Sequence, residues 1–244
     1  MKQVARLCTY NVHACVGRDG RYRPERIAEV LAGIDADIVA LQEVEIRGDD
    51  GSDLLESLAQ HTGLAPVAGP VLLRGQYRFG NALLARFPVK KVIRHDLSWS
   101  NREPRDVIDA FFECDNGILR VMATHLGLRP IERREQVLKL LAHLEARHAD
   151  AVVLMGDLNE WLLWGRPLRW LRRHFTATPD IRTFPARKPL FPLDQIWVEP
   201  GRALLSMEAA RSPAIVEASD HLPLVAEVAC NPDSVTQPQP IWSR

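Results

Sequence analysis

Residues 151–159 read AVVLMGDLN. The five apolar residues at the start are typical of a strand buried on both faces, and Gly156 ends the run. Asp157 and Asn159 follow at i, i+2 spacing, which on an extended chain points both side chains in the same direction. The stretch GDLN also fits an Asx turn after a strand. A buried strand with a polar tip is nevertheless typical of a layered sheet fold that presents functional groups where its strands end.

The same combination of an apolar run and a polar tip recurs in distant parts of the chain. Further polar residues flank such runs at Asn11 (TYN), Glu43 (LQE), His125 (ATH), Asp194 (LD), and Asp220 with His221 (SDH). A side chain at the end of a strand can point into a cleft. Several such side chains from distant segments therefore predict one shared site. In this interpretation Glu43 closes the strand formed by residues 37–43.

The remaining apolar patterns indicate many short strands and few helices. Strands are predicted around 65–73, 79–86, 89–97, 106–114 and 118–125. The longest helix is predicted over residues 130–147, with an inward face formed by Leu138, Leu141 and Leu144. We therefore expect an α/β fold with layered sheets covered by helices.

The composition is that of an ordinary globular chain. Its 244 residues include 31 Lys and Arg against 31 Asp and Glu, a balance that argues against avid, sequence-independent binding of nucleic acid. The four cysteines form no CxxC pair, and no apolar run resembles a signal peptide or a membrane span. We expect a soluble, cytoplasmic protein with one domain over residues 1–230 and a flexible Pro- and Gln-rich tail over residues 231–244.

Asn11 and Glu43 offer the oxygen ligands that Mg²⁺ or Mn²⁺ prefers. Each has a simpler interpretation when it is taken alone, since Asn11 can cap a turn and Glu43 can mark the point where a strand leaves the core. Together with Asp157 and Asn159 they favour a metal-assisted site. Asp157 would orient or deprotonate a water, and the Asn159 amide would donate to a phosphate oxygen.

Adjacent Asp220 and His221 are unlikely core residues, because desolvating an unpaired charge costs several kcal/mol. His221 is suited to donate to phosphate or to act as an acid or base near neutral pH. Asp194 supplies the carboxylate that such an imidazole needs for its orientation. His125 alone fits a satisfied core histidine, but its neighbours favour a role in the site.

These motifs, taken in their order from TYN to SDH, resemble those of the endonuclease/exonuclease/phosphatase superfamily. The resemblance implies a four-layered α/β sandwich of two packed, mainly antiparallel sheets flanked by helices. It also implies divalent-metal-dependent hydrolysis of a phosphate ester by water. The stretches TYNVH and SDHLPL resemble those of a bacterial group of metal-dependent hydrolases within that family.

The resemblance implies a role for each matched residue. Asn11 and Glu43 correspond to a magnesium site, and Asp220 to a further carboxylate near the metal or the histidine. Asp157 and Asn159 correspond to the residues that polarise the attacking water and bind the phosphate.

The histidines and one arginine complete the predicted set. His221, supported by Asp194, corresponds to the imidazole that contacts the scissile phosphate. His125 resembles a histidine of the deoxyribonuclease, sphingomyelinase and phosphatase branches. Arg105 resembles a family arginine that holds phosphate, although a surface arginine before a hairpin is an equally good interpretation.

The substrate class stays open at the level of the sequence. The segment 161–175, WLLWGRPLRWLRRHF, fits a rim for nucleic acid, an interfacial helix at a membrane surface, or a packing helix with solvated arginines. The expected partner is accordingly a phosphate ester of nucleic acid or of a phospholipid head group, with a peripheral membrane contact and no obligate protein partner. The alternative to an enzyme is a non-catalytic phosphate-binding module that keeps the fold.

Overall fold

The computed structural model describes residues 3–46, 54–69, 72–74, 77–115, 117–144, 149–175 and 178–233. Within these ranges the helices are α1 (Pro24–Ile34), α2 (Leu54–Thr62), α3 (Pro130–Leu144), α4 (Arg166–His174) and α5 (Pro213–Ala218). The strands are β1 (Val4–Asn11), β2 (Ile38–Ile46), β3 (Ala65–Ala68), β4 (Leu72–Arg74), β5 (Tyr77–Ala85), β6 (Val89–Asp96), β7 (Asp106–Cys114), β8 (Gly117–His125), β9 (Ala151–Asp157), β10 (Asp194–Glu199), β11 (Leu204–Ala209) and β12 (Leu224–Ala229).

The strands form two mainly antiparallel sheets. In the first sheet the order is β11-β12-β1-β2-β5-β3, and β4 also pairs with β5. In the second sheet the order is β10-β9-β8-β7-β6. Each sheet contains one parallel pair, β1 with β2 in the first and β8 with β9 in the second.

Three apolar clusters define four layers. The first cluster joins inner faces of the two sheets, with Leu7 of β1 and Val153 of β9 among its members. The second packs α1, α2 and Ala218 of α5 against the outer face of the first sheet, and the third packs α3 and α4 against the outer face of the second. This helix–sheet–sheet–helix arrangement confirms the predicted four-layered α/β sandwich.

Side chains alternate between the two faces of a strand, so each strand has a row of inward-facing side chains that extends to one end of the sandwich. On β9, Ala151, Val153 and Met155 belong to the cluster between the sheets, so period-two alternation directs Asp157 to the same side. The same parity links Leu7 to Asn11 on β1. The row of apolar residues between the sheets therefore ends in polar ones.

Gly156 allows the close approach of β8 and β9 just before this polar end. Its φ is +148°, and a Cβ at this position would lie 1.8 Å from the carbonyl oxygen of Thr124. A side chain here would push the strands apart where His125 pairs with Asp157 in register. Glycine is thus required by both backbone conformation and space.

The structure corrects two details of the predicted elements. Leu138 is 47% exposed, whereas Val137, Leu140 and Leu144 form the buried face of α3, because the inward face begins one residue earlier than predicted. Strand β2 does not end at Glu43 but continues to Ile46.

Some sequence predictions lie outside the described residues. These are residues 70 and 71 of the strand predicted around 65–73, the predicted helical residues 145–147, and residues 234–244 of the predicted tail. Within the described parts of the chain, every helix is too short or too polar to span a membrane.

We predict that Gly156→Ala destabilises the protein by about 3 kcal/mol or more, because the new Cβ meets the backbone of β8 at a strained φ. The melting temperature should fall by roughly 6–12 °C in a calorimetric scan. Gly33→Ala is the matched control, since the exposed Gly33 lies in α1 with nothing within 4 Å of an added Cβ. That control should gain about 0.5–1 kcal/mol. Equal stability of the two variants would contradict the role of Gly156.

Candidate active site

Five strands from both sheets bring the predicted residues to one end of the sandwich. The second sheet contributes three neighbours, because Asp157 on β9 pairs in register with His125 of β8 and with Asp194 of β10. The first sheet contributes Asn11 at the end of β1 and Glu43 in β2. The residues are separated by up to two hundred positions in the chain and are assembled only by the packing of the sheets.

Asp157 lies at the centre of this group and is buried. Its Oδ2 accepts a hydrogen bond of 3.0 Å from Asn11 Nδ2, and its Oδ1 accepts one of 2.9 Å from the backbone N–H of Asn159. Two imidazole nitrogens also face Oδ2, His125 Nε2 at 3.5 Å and His221 Nε2 at 3.9 Å. Burial raises the pKa of Asp157 to about 7, partly offset by the charge of His221.

Glu43 reaches the site through an irregularity in β2. The pairing of β2 with β5 shifts register between Leu41 and Val44, and Glu43 has a φ of +56°. The carboxylate thereby turns towards Asn11, whose Nδ2 donates to Glu43 Oε1 at 3.0 Å. Asn11 Oδ1 accepts from the backbone N–H of His13 at 3.0 Å, which orients the amide. Asn11 thus joins two carboxylates from different sheets.

His125 is held in a neutral state. Burial, followed by the charges of Arg105 and His221, lowers the pKa of His125 well below its usual value. Arg105 Nη1, which can only donate, lies 3.1 Å from His125 Nδ1. Asn159 Nδ2, which donates to the carbonyl of Leu126, lies 2.9 Å from the other ring nitrogen, Nε2. A neutral ring accepts at only one of these two nitrogens, and Nε2 is the one that faces Asp157 Oδ2, at 3.5 Å.

His221 is held in the opposite, charged state. Its Nδ1 donates to Asp194 Oδ2 at 2.8 Å. Burial lowers the pKa of His221, but the charge and hydrogen bond of Asp194 and the charges of Asp157 and Asp220 outweigh it and raise the pKa to about 10. The site therefore contains one neutral and one protonated imidazole, and both face Asp157 Oδ2.

Asp220 lies at the margin of the group. Its carboxylate is 4.0 Å from His13 Nδ1, and 40% of its side chain is exposed. The buried Ser219 beside it connects the two halves of the site, since its Oγ donates to the carbonyl of Asn11 at 2.7 Å and accepts from the His221 N–H at 3.3 Å. Sequence reasoning missed Ser219 because a serine before Asp-His looks like any loop residue.

A cavity of about 310 Å³ opens beside these residues. It is lined by side chains of both sheets and by aromatic and apolar residues, including Trp161, Phe184 and Leu128. Arg105 forms part of the wall, and its Nε is buried without a hydrogen-bond partner among the described residues. An unused donor facing a cavity is suited to an anionic ligand. Glu103, 3.3 Å from Arg105 Nη1, also lines the wall.

A buried ion pair behind the cavity was also missed by sequence reasoning. Arg133 in the first turns of α3 pairs with Glu160 through Nε at 3.2 Å and Nη2 at 3.3 Å, and both side chains are 3% exposed. Arg133 Nη1 further donates to the carbonyls of Gly127 and Leu128. The pair thus fastens the two loops that follow His125 and Asp157. No motif in the sequence marks Arg133 and Glu160 as partners, so only the structure reveals the pair.

The residues present fit a divalent cation. Glu43 Oε1 and Asp157 Oδ2 both lie 3.0 Å from one atom of Asn11, so oxygen donors from both sheets converge beside the cavity. The buried Asp157 and the partly buried Glu43 bring two carboxylates to one amide group, and a hard divalent cation would compensate their charge. A second set, Asp157, Asp194 and His221, has donor atoms within 4.8 Å of one another. We favour the first set, because a protonated His221 bonded to Asp194 has no lone pair for a metal.

Comparison with known proteins gives a consistent result. Residues 8–221 match the pattern of the group described as the Endonuclease/Exonuclease/phosphatase family. The Escherichia coli protein YbhP is 28% identical over 246 residues, covering 91% of this chain and 95% of its own.

Solved structures share the fold. An endonuclease/exonuclease/phosphatase from Beutenbergia cavernae superposes with a TM-score of 0.73 at 21% identity, covering 94% of this chain and 72% of that one. The human Nocturnin catalytic domain with bound sulfate superposes with a TM-score of 0.71 at 20% identity, covering 92% of each chain. At these identities the superpositions establish the fold alone.

We predict that Asp194→Asn moves the pKa of His221 from about 10 down towards its ordinary value of 6.5, because the charge that stabilises the imidazolium is removed. An NMR titration of the His221 ring in metal-free protein measures this change. Glu113→Gln is the control, since Glu113 is a half-exposed carboxylate at the opposite end of the same sheet. A His221 titration that is unchanged in Asp194→Asn would refute the assigned pairing.

Proposed function

The chain belongs to the endonuclease/exonuclease/phosphatase family, and from this premise we propose that it is a divalent-metal-dependent phosphoesterase that hydrolyses its substrate with water. The observation that carries the proposal is the buried Asp157 carboxylate held between Asn11, a neutral His125 and a charged His221, beside a cavity. Imidazoles whose pKa values are shifted in opposite directions around one buried carboxylate, in a cleft, are characteristic of functional sites.

Asp157 is the group that directs the attacking water. Its Oδ1 and Oδ2 are held by the N–H of Asn159 and the amide of Asn11, so the carboxylate cannot rotate. A carboxylate with a pKa of about 7 accepts a proton readily near neutral pH. The water oxygen forms the new bond to phosphorus, its proton passes to Asp157, and the bond to the ester oxygen breaks.

Charged and polar donors around the cavity bind the phosphate. The His221 imidazolium and the Asn159 amide lie where they can donate to oxygens that gain charge during the reaction. Arg105 adds its buried Nε from the wall, and its positive charge helps to keep His125 neutral by lowering the pKa of His125. Asp194 acts through His221, whose charge and orientation it maintains.

Asn11 and Glu43 are the residues that would hold Mg²⁺ or Mn²⁺, with Asp220 as a further candidate ligand. A bound divalent cation supplies Lewis-acid chemistry, neutralising charge on the phosphate and on the departing oxygen. Glu43 lines the cavity and its Oε1 lies 3.0 Å from the Asn11 amide, whose oxygen is the atom that would bind the cation, and this proximity supports the assignment. Asp220 has weaker support, because its carboxylate faces His13.

The site suits a phosphodiester or a phosphomonoester, and the proposed substrates are a nucleic acid or a phospholipid or inositol-type head group. A non-catalytic phosphate-binding module would need the phosphate-binding donors but not a positioned carboxylate for water. The presence of Asp157, with a hydrogen-bond donor to each of its two oxygens, therefore favours an enzyme over a binding module.

We predict that Asp157→Asn and Glu43→Gln each lower turnover by about 100- to 1,000-fold, because each removes a charge from the reacting centre while keeping the side-chain shape. Turnover is measured on bis-p-nitrophenyl phosphate, plasmid DNA and a phospholipid panel with Mg²⁺ or Mn²⁺. Glu113→Gln, which changes an equivalent carboxylate remote from the cavity, should retain the parent rate. If Asp157→Asn turns over at the parent rate, the proposed mechanism is wrong.

Metal binding can be tested without turnover. We predict that Mg²⁺ or Mn²⁺ raises the melting temperature of the chelator-treated protein, because a ligand that binds only the folded state stabilises it. The rise should shrink strongly in Glu43→Gln and persist in Glu113→Gln. A thermal shift that is the same in both variants would place the metal elsewhere.

A further inference from the structure

Exposed apolar side chains concentrate around the mouth of the cavity. Among the described residues, the large hydrophobic side chains that are exposed include Trp164 at 71%, Leu128 at 68% and Leu190 at 49%. We call the following set the apolar rim: Leu128, Ile131, Trp161, Leu162, Leu163, Trp164 and Leu190. Single exposed hydrophobic residues are ordinary, but a group around one opening indicates an interaction surface.

Ring contacts, a backbone hydrogen bond and a shared cavity wall connect segments of the apolar rim. Leu128 and Trp161 line the same cavity. The Trp161 ring contacts the rings of Phe184 and Phe191, with centroids at 5.7 and 4.9 Å. Leu190 belongs to that turn, since its N–H donates to the carbonyl of Phe184.

The apolar side chains are therefore presented on a rigid support. Arg133 holds the Leu128 carbonyl and the Glu160 carboxylate, and Glu160 in turn accepts from the N–H of Leu162. Gly165 N–H donates to the carbonyl of Leu162 at 2.7 Å, closing the turn that exposes Trp164. A fixed turn of this kind loses little conformational entropy when it binds a partner.

Helix α4 adds positive charge directly after the exposed tryptophans. Arg166, Arg169 and Arg173 are exposed and recur at i, i+3 and i+7, so they share one face, while Leu168 and Leu171 are buried. Arg172 is partly neutralised, because it pairs with Asp180 at 3.0 Å, and its Nη1 donates to the carbonyl of Leu163. The helix thus places a basic face next to the apolar rim.

We propose that the apolar rim and the basic face of α4 dock this protein onto the surface of an anionic phospholipid bilayer. Tryptophan and leucine enter the boundary between head groups and acyl chains, where aromatic rings are favoured. The arginines remain among the anionic head groups, whose negative surface potential attracts basic side chains.

A bilayer fits these residues better than a polynucleotide does. Single-stranded nucleic acid is gripped by rings on which successive bases stack, whereas most of the apolar rim is aliphatic and offers no stacking face. The formal charge of the whole chain is zero, which weakens the attraction to a long polyanion.

Docking in this way turns the mouth of the cavity towards the lipid head groups. Trp161 and Leu128 form both the rim and the cavity wall, so a phosphate ester in the head-group layer would lie next to Arg105 and His221. A phospholipid is then the substrate class. This step rests on the proposed phosphoesterase function, whereas docking itself does not.

Sedimentation with vesicles, in the presence of a chelator, tests docking independently of metal and turnover. The full chain should bind vesicles of phosphatidylglycerol and phosphatidylcholine and should bind pure phosphatidylcholine vesicles much less. The double variant Leu163→Ser, Trp164→Ser should weaken binding about tenfold or more, because it removes apolar area that enters the bilayer. Arg169→Glu should weaken binding several-fold and only at low salt.

Matched surface changes on β6 are the controls. Val89→Ser with Val92→Ser removes two exposed apolar side chains, and Lys91→Glu reverses an exposed charge, all on the opposite edge of the second sheet. These variants should bind like the parent, and so should Asp157→Asn whatever its turnover.

Equal loss in rim and control variants, or binding no greater than to pure phosphatidylcholine, would overturn the proposal. So would rim-dependent retention on single-stranded polynucleotide without vesicle binding. If Asp157→Asn abolishes hydrolysis of soluble diester while vesicle binding fails in the parent, the phosphoesterase stands and only docking is wrong.

Discussion

The buried carboxylate of Asp157 is the constraint on which the rest of the site depends. A charge removed from water is tolerated only with compensating donors. The amide of Asn11 from the other sheet, the N–H of Asn159 and the nearby His221 imidazolium provide them. Because these donors lie on separate strands and loops, the two sheets must pack in one register before the Asp157 carboxylate faces all of them. The same packing of the two sheets therefore stabilises their interface and positions the residues of the site.

A second group of buried charges, the ion pair of Arg133 and Glu160, supports the loops beside the site. Arg133 and Glu160 are almost fully enclosed, and their hydrogen bonds fix the loops that leave β8 and β9. Removing one partner from such a pair leaves the other charge buried and unpaired, which is costly. The loops that carry Asn159 and the apolar rim are consequently held by a group that touches no substrate. Rigid support of this kind keeps donors in position for a developing charge.

The charged groups of the cavity and the exposed residues around its mouth both suit an anionic partner. The cavity combines a neutral imidazole, a charged imidazole and a buried guanidinium nitrogen, all suited to an anionic group. Around its mouth, exposed tryptophan and leucine side chains adjoin the basic face of α4. The sequence left three interpretations of the segment 161–175 open. The structure places Leu168 and Leu171 of α4 in a packing interface, as one of them expected, yet it leaves Trp161 and Trp164 exposed beside the cavity.

The sequence by itself predicted the strands that carry the site and the polar residue types at their tips. An apolar run that ends in a polar residue is a local pattern, so Asp157 and Asn11 could be placed at strand ends. Their shared inward direction became visible only in the structure, where β9 ends at Asp157 and Asn159 has a φ of +51°. Only the tertiary structure decided that rows from two sheets meet, that the irregularity in β2 turns Glu43 into the site, and that Arg133 of α3 finds Glu160. It also decided the inward face of α3, where Leu138 is exposed. Contacts between distant segments depend on the packing of whole layers, and the protonation of His125 and His221 depends on the burial that this packing creates.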